Sequence, residues 1–301
     1  MIRCEVCGKE NSDRSSYCSG CSAALSASGK SAAGMRGNGR TLLDGGQPTD
    51  AATLTRSVTG INGLDAMIDG GFPQGRVILV SGGPGTGKTT MALQFLVNGC
   101  LKFGENGVYV SLDEPLKKIL QETSILGWDL KDLIDSGKIG FLEFHSSYGT
   151  KFSVEELTTK IKDTAEKLHA KRISIDPLTF ISIHFPDIVT RRGVMMNLFD
   201  TLSATGATCI VTNEMRGEHE TVILLEEYLA DGVLRLRSSR IERGQVRTID
   251  VEKMRGTAID DQSRAYVIEK DGIQVIADSD LFTYAARLFA KQMTGEKTFR
   301  Q

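Results

Sequence analysis

The sequence predicts an α/β protein: a mainly parallel sheet flanked by helices, antiparallel strands towards the C-terminus, and a small cysteine-rich module ahead of them. Three observations predict it. From residue 53 onward, apolar strand-like runs alternate with helical patterns, and such alternation builds parallel sheets covered on both faces. The run Gly82-Gly83-Pro84-Gly85-Thr86-Gly87-Lys88-Thr89 fits G-x-x-x-x-G-K-[ST] and lies between a strand-like and a helix-like segment. Four of the six cysteines, Cys4-x-x-Cys7 and Cys18-x-x-Cys21, fall in one pattern near the N-terminus.

Residues 1–25 read as a zinc ribbon. Each C-x-x-C turn presents two thiolates to one side, and two such knuckles close a tetrahedron around Zn²⁺. Four thiolates leave no open position, so the zinc is expected to be structural. Redox dithiols are the lesser alternative. Residues 26–52 are rich in Ser, Ala and Gly and read as a flexible linker. Residues 53–278 read as one nucleotide-binding domain. Its expected strands are 76–81, 107–112, 138–144, 171–176 and 207–212; its expected helices are 88–103, 115–126, 153–170 and 190–205. Short strands at 233–237, 246–254, 265–268 and 273–277 read as antiparallel additions to the sheet edge. Residues 279–301 space Leu281, Phe282, Ala285, Leu288, Phe289 and Met293 as an amphipathic helix, expected to dock on the body or on a partner rather than on a membrane.

Composition narrows the function. At 301 residues, 40% hydrophobic and 25% charged, the chain can bury a substantial core. A net charge of −2 excludes strong global attraction to nucleic acid or acidic membranes. No apolar run approaches a membrane span, and Met1-Ile2-Arg3-Cys4 lacks the apolar core of a signal peptide. The expectation is a soluble, cytoplasmic protein. Cys100 and Cys209 sit in apolar contexts and read as buried small hydrophobes.

The phosphate loop carries the chemistry. Backbone N–H groups of the turn and of the helix N-terminus make a positive cradle for phosphate oxygens. Gly82, Gly83, Gly85 and Gly87 are expected to let the chain close where a Cβ would intrude. Lys88 has the reach for the β- and γ-phosphates, and Thr89 supplies a hydroxyl for Mg²⁺. Pro84, Thr86 and Thr90 complete the nucleotide-binding set. Asp176 ends the run Lys171-Arg172-Ile173-Ser174-Ile175, at the carboxyl edge of a parallel strand, where ligands gather. It is the expected direct or outer-sphere partner of Mg²⁺. Asp113-Glu114 close another strand just before Pro115. They read equally as a water-activating pair or as acids complementing a helix N-terminus.

With these residues the chain resembles the KaiC family within the RecA superfamily, over about residues 53–278. The resemblance rests on Thr59-Gly60-Ile61-Asn62-Gly63-Leu64-Asp65, Gly70-Gly71-Phe72-Pro73-Gln74-Gly75, Val110-Ser111-Leu112-Asp113-Glu114, Thr212-Asn213-Glu214, Tyr228-Leu229-Ala230-Asp231-Gly232-Val233 and Lys253-Met254-Arg255-Gly256-Thr257. It implies a RecA-like ATPase that binds ATP and Mg²⁺ and assembles as a homo-oligomer, typically a ring of six with nucleotide at each subunit interface. It implies that Asp113 and Glu114 stand where the family has paired catalytic glutamates. It also implies that Lys253 and Arg255 reach the neighbour's γ-phosphate, with Met254 and Thr257 in the same motif. Two departures matter. Asp113 is one methylene shorter than the usual glutamate, and Glu227-Tyr228 occupies the place of the clock protein's Ser-Thr phosphoacceptor pair, so autokinase activity is unsupported.

The expected function is a ring-forming ATPase acting as a slow regulatory switch or scaffold, with the zinc ribbon or C-terminal helix as a protein-binding arm. The alternative is a RadA-like DNA-repair ATPase that binds single-stranded DNA, since those proteins also carry a four-cysteine ribbon. Their Lys-Asn-Arg-Phe-Gly signature is absent here, and nucleic acid is not favoured. Arg235, Arg237, Arg240, Arg243 and Arg247 are the residues that would track phosphates. A non-enzymatic nucleotide sensor is the third reading.

Overall fold

The computed structural model describes residues 2–3, 10–11, 54–144, 152–215, 225–241 and 244–276. The contacts divide the chain into Met1–Thr55 and Arg56–Gln301. In the first unit, β1 (Ile2–Arg3) pairs antiparallel with β2 (Glu10–Asn11), with Ile2 opposite Asn11. The four ribbon cysteines, the linker and the expected C-terminal helix lie outside the described residues.

The second unit begins with β3 (Arg56–Ser57), α1 (Leu64–Met67) and β4 (Phe72–Pro73). Then come β5 (Val77–Gly82), α2 (Lys88–Asn98) with a π-helical turn at Gly99–Phe103, β6 (Gly107–Ser111), α3 (Leu116–Ile125), α4 (Leu130–Asp135) and β7 (Ile139–Glu143). They are followed by α5 (Val154–Leu168), β8 (Arg172–Asp176), α6 (Thr179–His184), α7 (Ile188–Ala204), β9 (Thr208–Glu214) and α8 (Leu225–Leu229). The chain closes with β10 (Gly232–Ile241), β11 (Gly244–Met254), β12 (Arg264–Glu269) and β13 (Gly272–Val275). One nine-stranded sheet runs β13-β12-β11-β10-β5-β9-β8-β6-β7.

The pairings from β10 through β7 are all parallel, and those from β10 to β13 antiparallel. The strand read at 233–237 as an antiparallel addition therefore joins the parallel half. Asp231 fixes this: its Oδ2 accepts the Val77 N–H at 3.2 Å, and its own N–H donates to Val77 O at 2.8 Å. That lays β10 alongside β5 from its first residue.

Alternation along the central strands splits the core into two layers. Ile78 and Val80 face Phe95 and Leu96 of α2, while Val77 and Leu79 face the layer of Leu157, Leu198 and Leu202 from α5 and α7. The expected helix over 88–103 loses α-geometry at Gly99. The cause is Arg172, which is 1% exposed. Its Nη1 donates to Phe95 O at 2.8 Å, and a Cβ on Gly99 would lie 2.5 Å from Arg172 Cδ. A side chain wedged against a helix's last turn perturbs the bonding ladder there. Among the described residues, four short helices, α1, α4, α6 and α8, fall where the sequence pattern shows none; each is four to six residues long, too short to carry a periodicity and held by packing instead.

Candidate active site

Gly82 ends β5 between two neighbours, opposite Glu214 on β9 and Leu236 on β10. A Cβ there would lie 2.5 Å from Leu236 O and 2.8 Å from Thr86 Oγ1. Gly87 has φ 90°, and its Cβ would strike Ile268 Cδ1 at 2.7 Å. At Gly83 and Gly85 a Cβ would meet no atom of the described residues within 4 Å. The glycine requirement at Gly85 is conformational, with φ 71°. No protein contact explains Gly83. The loop is braced from within: Thr86 Oγ1 donates to Gly83 O at 2.8 Å, and Tyr266 on β12 donates to Thr86 O. Pro84 and Gly85 form the exposed tip, and Thr90 is half-buried in the first helical turn.

Lys88 Nζ donates to Gly83 O at 2.9 Å, which holds the ammonium over the loop. Burial lowers its pKa, opposed by the charges of Glu214 and Asp176. A partly desolvated cation beside outward-facing N–H groups is a site for an anion.

Asp176 joins this loop to the rest of the sheet. It is 7% exposed at the end of β8. Its Oδ2 accepts the Thr89 hydroxyl at 2.7 Å, and the Tyr109 hydroxyl lies 3.0 Å from the same oxygen. Its Oδ1 accepts the Thr212 hydroxyl. The donor set is oxygen alone, a hydroxyl next to a carboxylate, which suits Mg²⁺. Among the described residues there is no group of three or more His, Cys, Asp or Glu that could hold a metal. Mg²⁺ needs no such cage, since it takes one or two protein oxygens together with substrate phosphates and water.

Ser111, which pairs with Asp176 across β6 and β8, begins the turn that carries the two acids. Its Oγ donates to Glu114 O at 2.5 Å and lies 3.3 Å from Glu114 N, so the turn is fastened at both ends. Glu114 is half-buried and its carboxylate pairs with Lys118, one turn along α3. Asp113 is exposed. Glu143, at the end of β7, accepts the Leu116 N–H at 2.9 Å and anchors the start of α3. Burial, then the charge of Glu114, holds the Glu122 carboxyl above its ordinary range.

The basic pair lies elsewhere. Met254, the residue between Lys253 and Arg255, pairs with Gly232, which is opposite Ile78, whereas the loop's Gly82 is opposite Leu236. Lys253 and Arg255 are thus at the far end of the same ladder from the loop of their own chain. Lys253 Nζ donates to Ala230 O at 2.6 Å and Glu227 O at 3.1 Å, capping α8. Arg255 is half-exposed beside Asp231, Nη1 to Oδ1 3.5 Å. Met254 is buried, with its sulfur where a Cβ of Gly232 would fall, so its side chain belongs to the core. Thr257 accepts from Arg56 Nη1 at 2.5 Å. The arginine row is partly neutralised: Arg235 pairs with Glu227 and Glu252, and Arg237 with Asp250 and Glu252.

A family model described as "ATPase: KaiC" matches residues 57–280. The chain belongs to the KaiC family of ATPases. It is 34% identical over 238 residues to a circadian clock protein, KaiC2, of Synechocystis, a match over 77% of this chain and 42% of that protein. It therefore spans about two fifths of the length of that clock relative. A UPF0273 protein of Pyrococcus horikoshii is 34% identical over 76% of this chain and 97% of its own. The crystal structure of a KaiC-like protein from Pyrococcus horikoshii OT3 superposes with a TM-score of 0.68 at 32% identity, covering 74% of this chain and all of that one. The KaiC resemblance and the mostly parallel sheet with antiparallel strands are thereby borne out.

Sequence reasoning missed Tyr109, Lys118, Glu143 and Tyr266, and quoted Thr212 only as part of a family motif, with no role of its own. One signal was available. Tyr109 and Thr212 carry hydroxyls on central strands of a buried sheet, and buried hydroxyls need partners.

Proposed function

We propose that this KaiC-family ATPase hydrolyses ATP with Mg²⁺, slowly, as a regulatory switch or scaffold. It works as a homo-oligomer, a ring of six, with nucleotide at the subunit interfaces. Lys88 and the loop N–H groups hold the phosphates, and Thr89 with Asp176 holds Mg²⁺. When bound, the ion neutralises charge on the phosphates. Glu114 takes the proton of the attacking water as its oxygen bonds to the γ-phosphorus and the bond to the bridging oxygen breaks. Asp113 borders the same water site. To act, Glu114 exchanges Lys118 for water.

The observation that carries this reading is the Thr89–Asp176 hydrogen bond, which links the phosphate loop to the strand beside the acids. The position of Lys253 and Arg255, remote from their own loop, supports action on a neighbouring subunit. The paired state of Arg235 and Arg237 argues against a role in tracking DNA. The cysteine spacing supports a structural Zn²⁺ on Cys4, Cys7, Cys18 and Cys21, and the ladder of β1 with β2 brackets the first C-x-x-C. The ribbon and the C-terminal segment are the surfaces assigned to a protein partner, and the setting is cytoplasmic. No helix among the described residues is long and apolar enough to cross a membrane.

Mg²⁺-dependent ATP hydrolysis, with and without single-stranded DNA, tests the reading against Glu114→Gln as control. Turnover indifferent to DNA and lost in the variant is expected. Strong stimulation by DNA would move the RadA-like alternative to first place. Mixed rings of Arg255→Ala and Lys88→Ala chains should regain part of the activity; no recovery in verified mixed rings counts against contribution across the interface.

A further inference from the structure

We propose that Tyr109 is a positioning residue for hydrolysis, fixing the plane of the Asp176 carboxylate so that one oxygen is held towards Thr89. The proposal rests on the metal-dependent ATPase reading above.

A carboxylate at the end of a strand turns freely about its last bond, whose preferences are broad. Here the rotation is pinned from both sides. β8 lies between β9 and β6. Thr212 on β9 donates to Oδ1, and Tyr109 on β6 to Oδ2, the oxygen that also accepts Thr89. A half-turn of the carboxylate restores the same arrangement, because its two oxygens are equivalent, but intermediate turns lengthen the bonds to Thr212 and Tyr109.

Only a long side chain can supply the second clamp from this position. Tyr109 pairs with Ser174, two residues before Asp176 on β8. Paired residues share a face, and two residues of strand span ~6.6 Å, about the length of a phenol side chain. Tyr109 is fully buried, and its ring stacks on Phe141 with centroids 5.6 Å apart. The ring is thus immobilised independently of its hydroxyl. Phenylalanine would keep the packing and remove only the clamp. No loop N–H or Lys88 contact depends on that hydroxyl, so the effect should be confined to the metal.

The test uses the full-length protein. Tyr109→Phe should raise the dissociation constant of Mn²⁺, read by electron paramagnetic resonance with a non-hydrolysable ATP analogue bound, by about tenfold, the usual effect of losing an outer partner of a metal ligand. It should lower kcat by a similar factor, leaving metal-free nucleotide affinity within about twofold of wild type. Thr212→Val should do the same, and the double variant should be less than the product of the two, since both act on one carboxylate. Unchanged Mn²⁺ affinity in both single variants overturns the proposal. So does a parallel loss of metal-free nucleotide binding, which would mark a structural role. Should Tyr109→Phe fail to fold, the ring's packing depends on its hydroxyl and the proposal falls. A wild-type protein that binds no Mn²⁺–nucleotide overturns the ATPase reading itself, an outcome separable from a wild-type protein that binds it and variants that match it.

Discussion

Replacing Arg172 by methionine should destabilise the Arg56–Gln301 unit by about 3–5 kcal/mol, through the lost hydrogen bond to a buried carbonyl and the lost contacts with two aromatic rings. Arg172 is 1% exposed and makes three hydrogen bonds. Nε donates to Glu105 at 2.6 Å, Nη1 to Phe95 O at 2.8 Å, and Nη2 to Val58 O at 2.8 Å. Glu105 retains 32% side-chain exposure, so water can rehydrate much of it. The buried carbonyl of Phe95 loses a donor, at about 1–3 kcal/mol, whereas Val58 is exposed and its carbonyl can turn to water. The guanidinium also sits 4.4 Å and 5.0 Å from the Phe95 and Phe103 ring centroids, adding roughly 0.5–1 kcal/mol for each. Methionine recovers part of the ring contact. For a domain of this size the melting temperature should fall by about 6–20 °C, at ~2–4 °C per kcal/mol. Urea unfolding followed by circular dichroism measures it, with Glu105→Gln as the milder comparison. A loss below about 1 kcal/mol would refute the claim that Arg172 ties β8, α2 and the domain's entry segment together.

Lys88→Ala should abolish nucleotide binding while leaving unfolding within about 0.5 kcal/mol of wild type, since its one bond in the free protein is to a loop carbonyl; calorimetric titration with ATP decides. Gly82→Ala should cost stability as well as binding, about 1–3 kcal/mol from the clash with Leu236 O, whereas Gly83→Ala should leave stability unchanged. Burial pushes the Glu252 carboxyl up, but hydrogen bonds and charge from Arg235, with Arg237, outweigh it and hold it below its ordinary value. Its contribution is therefore present above about pH 4.5 and lost as pH falls through the depressed value, so Glu252→Gln should flatten the acid limb of the stability–pH curve. Burial raises the Cys100 thiol to about 11 and the Cys209 thiol further. Neither should react with a thiol reagent in the native protein; on the proposed zinc reading, four further thiols should become reactive on adding a chelator.

The strand–loop–helix arrangement of the candidate site was legible because it is local. The strand, glycine turn and helix around Lys88 are contiguous, and Asp176 ends a strand whose apolar run is unmistakable. What was hidden is non-local. Tyr109 reads as one more strand aromatic until β6 is laid against β8. The π-helical turn at Gly99 comes from an arginine more than seventy positions away. β10 looks like its antiparallel successors, because pairing direction is set by Asp231 against Val77 rather than by the strand's own residues. Lys118 and Glu114, one helical turn apart, were within reach of an i,i+4 reading.

β10 is bonded to β5 on one side and to β11 on the other over the same residues. A ladder cannot slip by one place without turning every side chain to the wrong face. The ladder to β5 keeps one register from Gly232 to Leu236, while the ladder to β11 shifts register between Val233 and Leu234. Leu236 abuts the phosphate loop at one end, and Gly232 abuts Met254, between the two basic residues, at the other. β10 thus carries, within five residues, one neighbour of the phosphate loop and one neighbour of the basic pair. In the proposed ring, a subunit's own nucleotide loop and the edge that would meet its neighbour share this one strand.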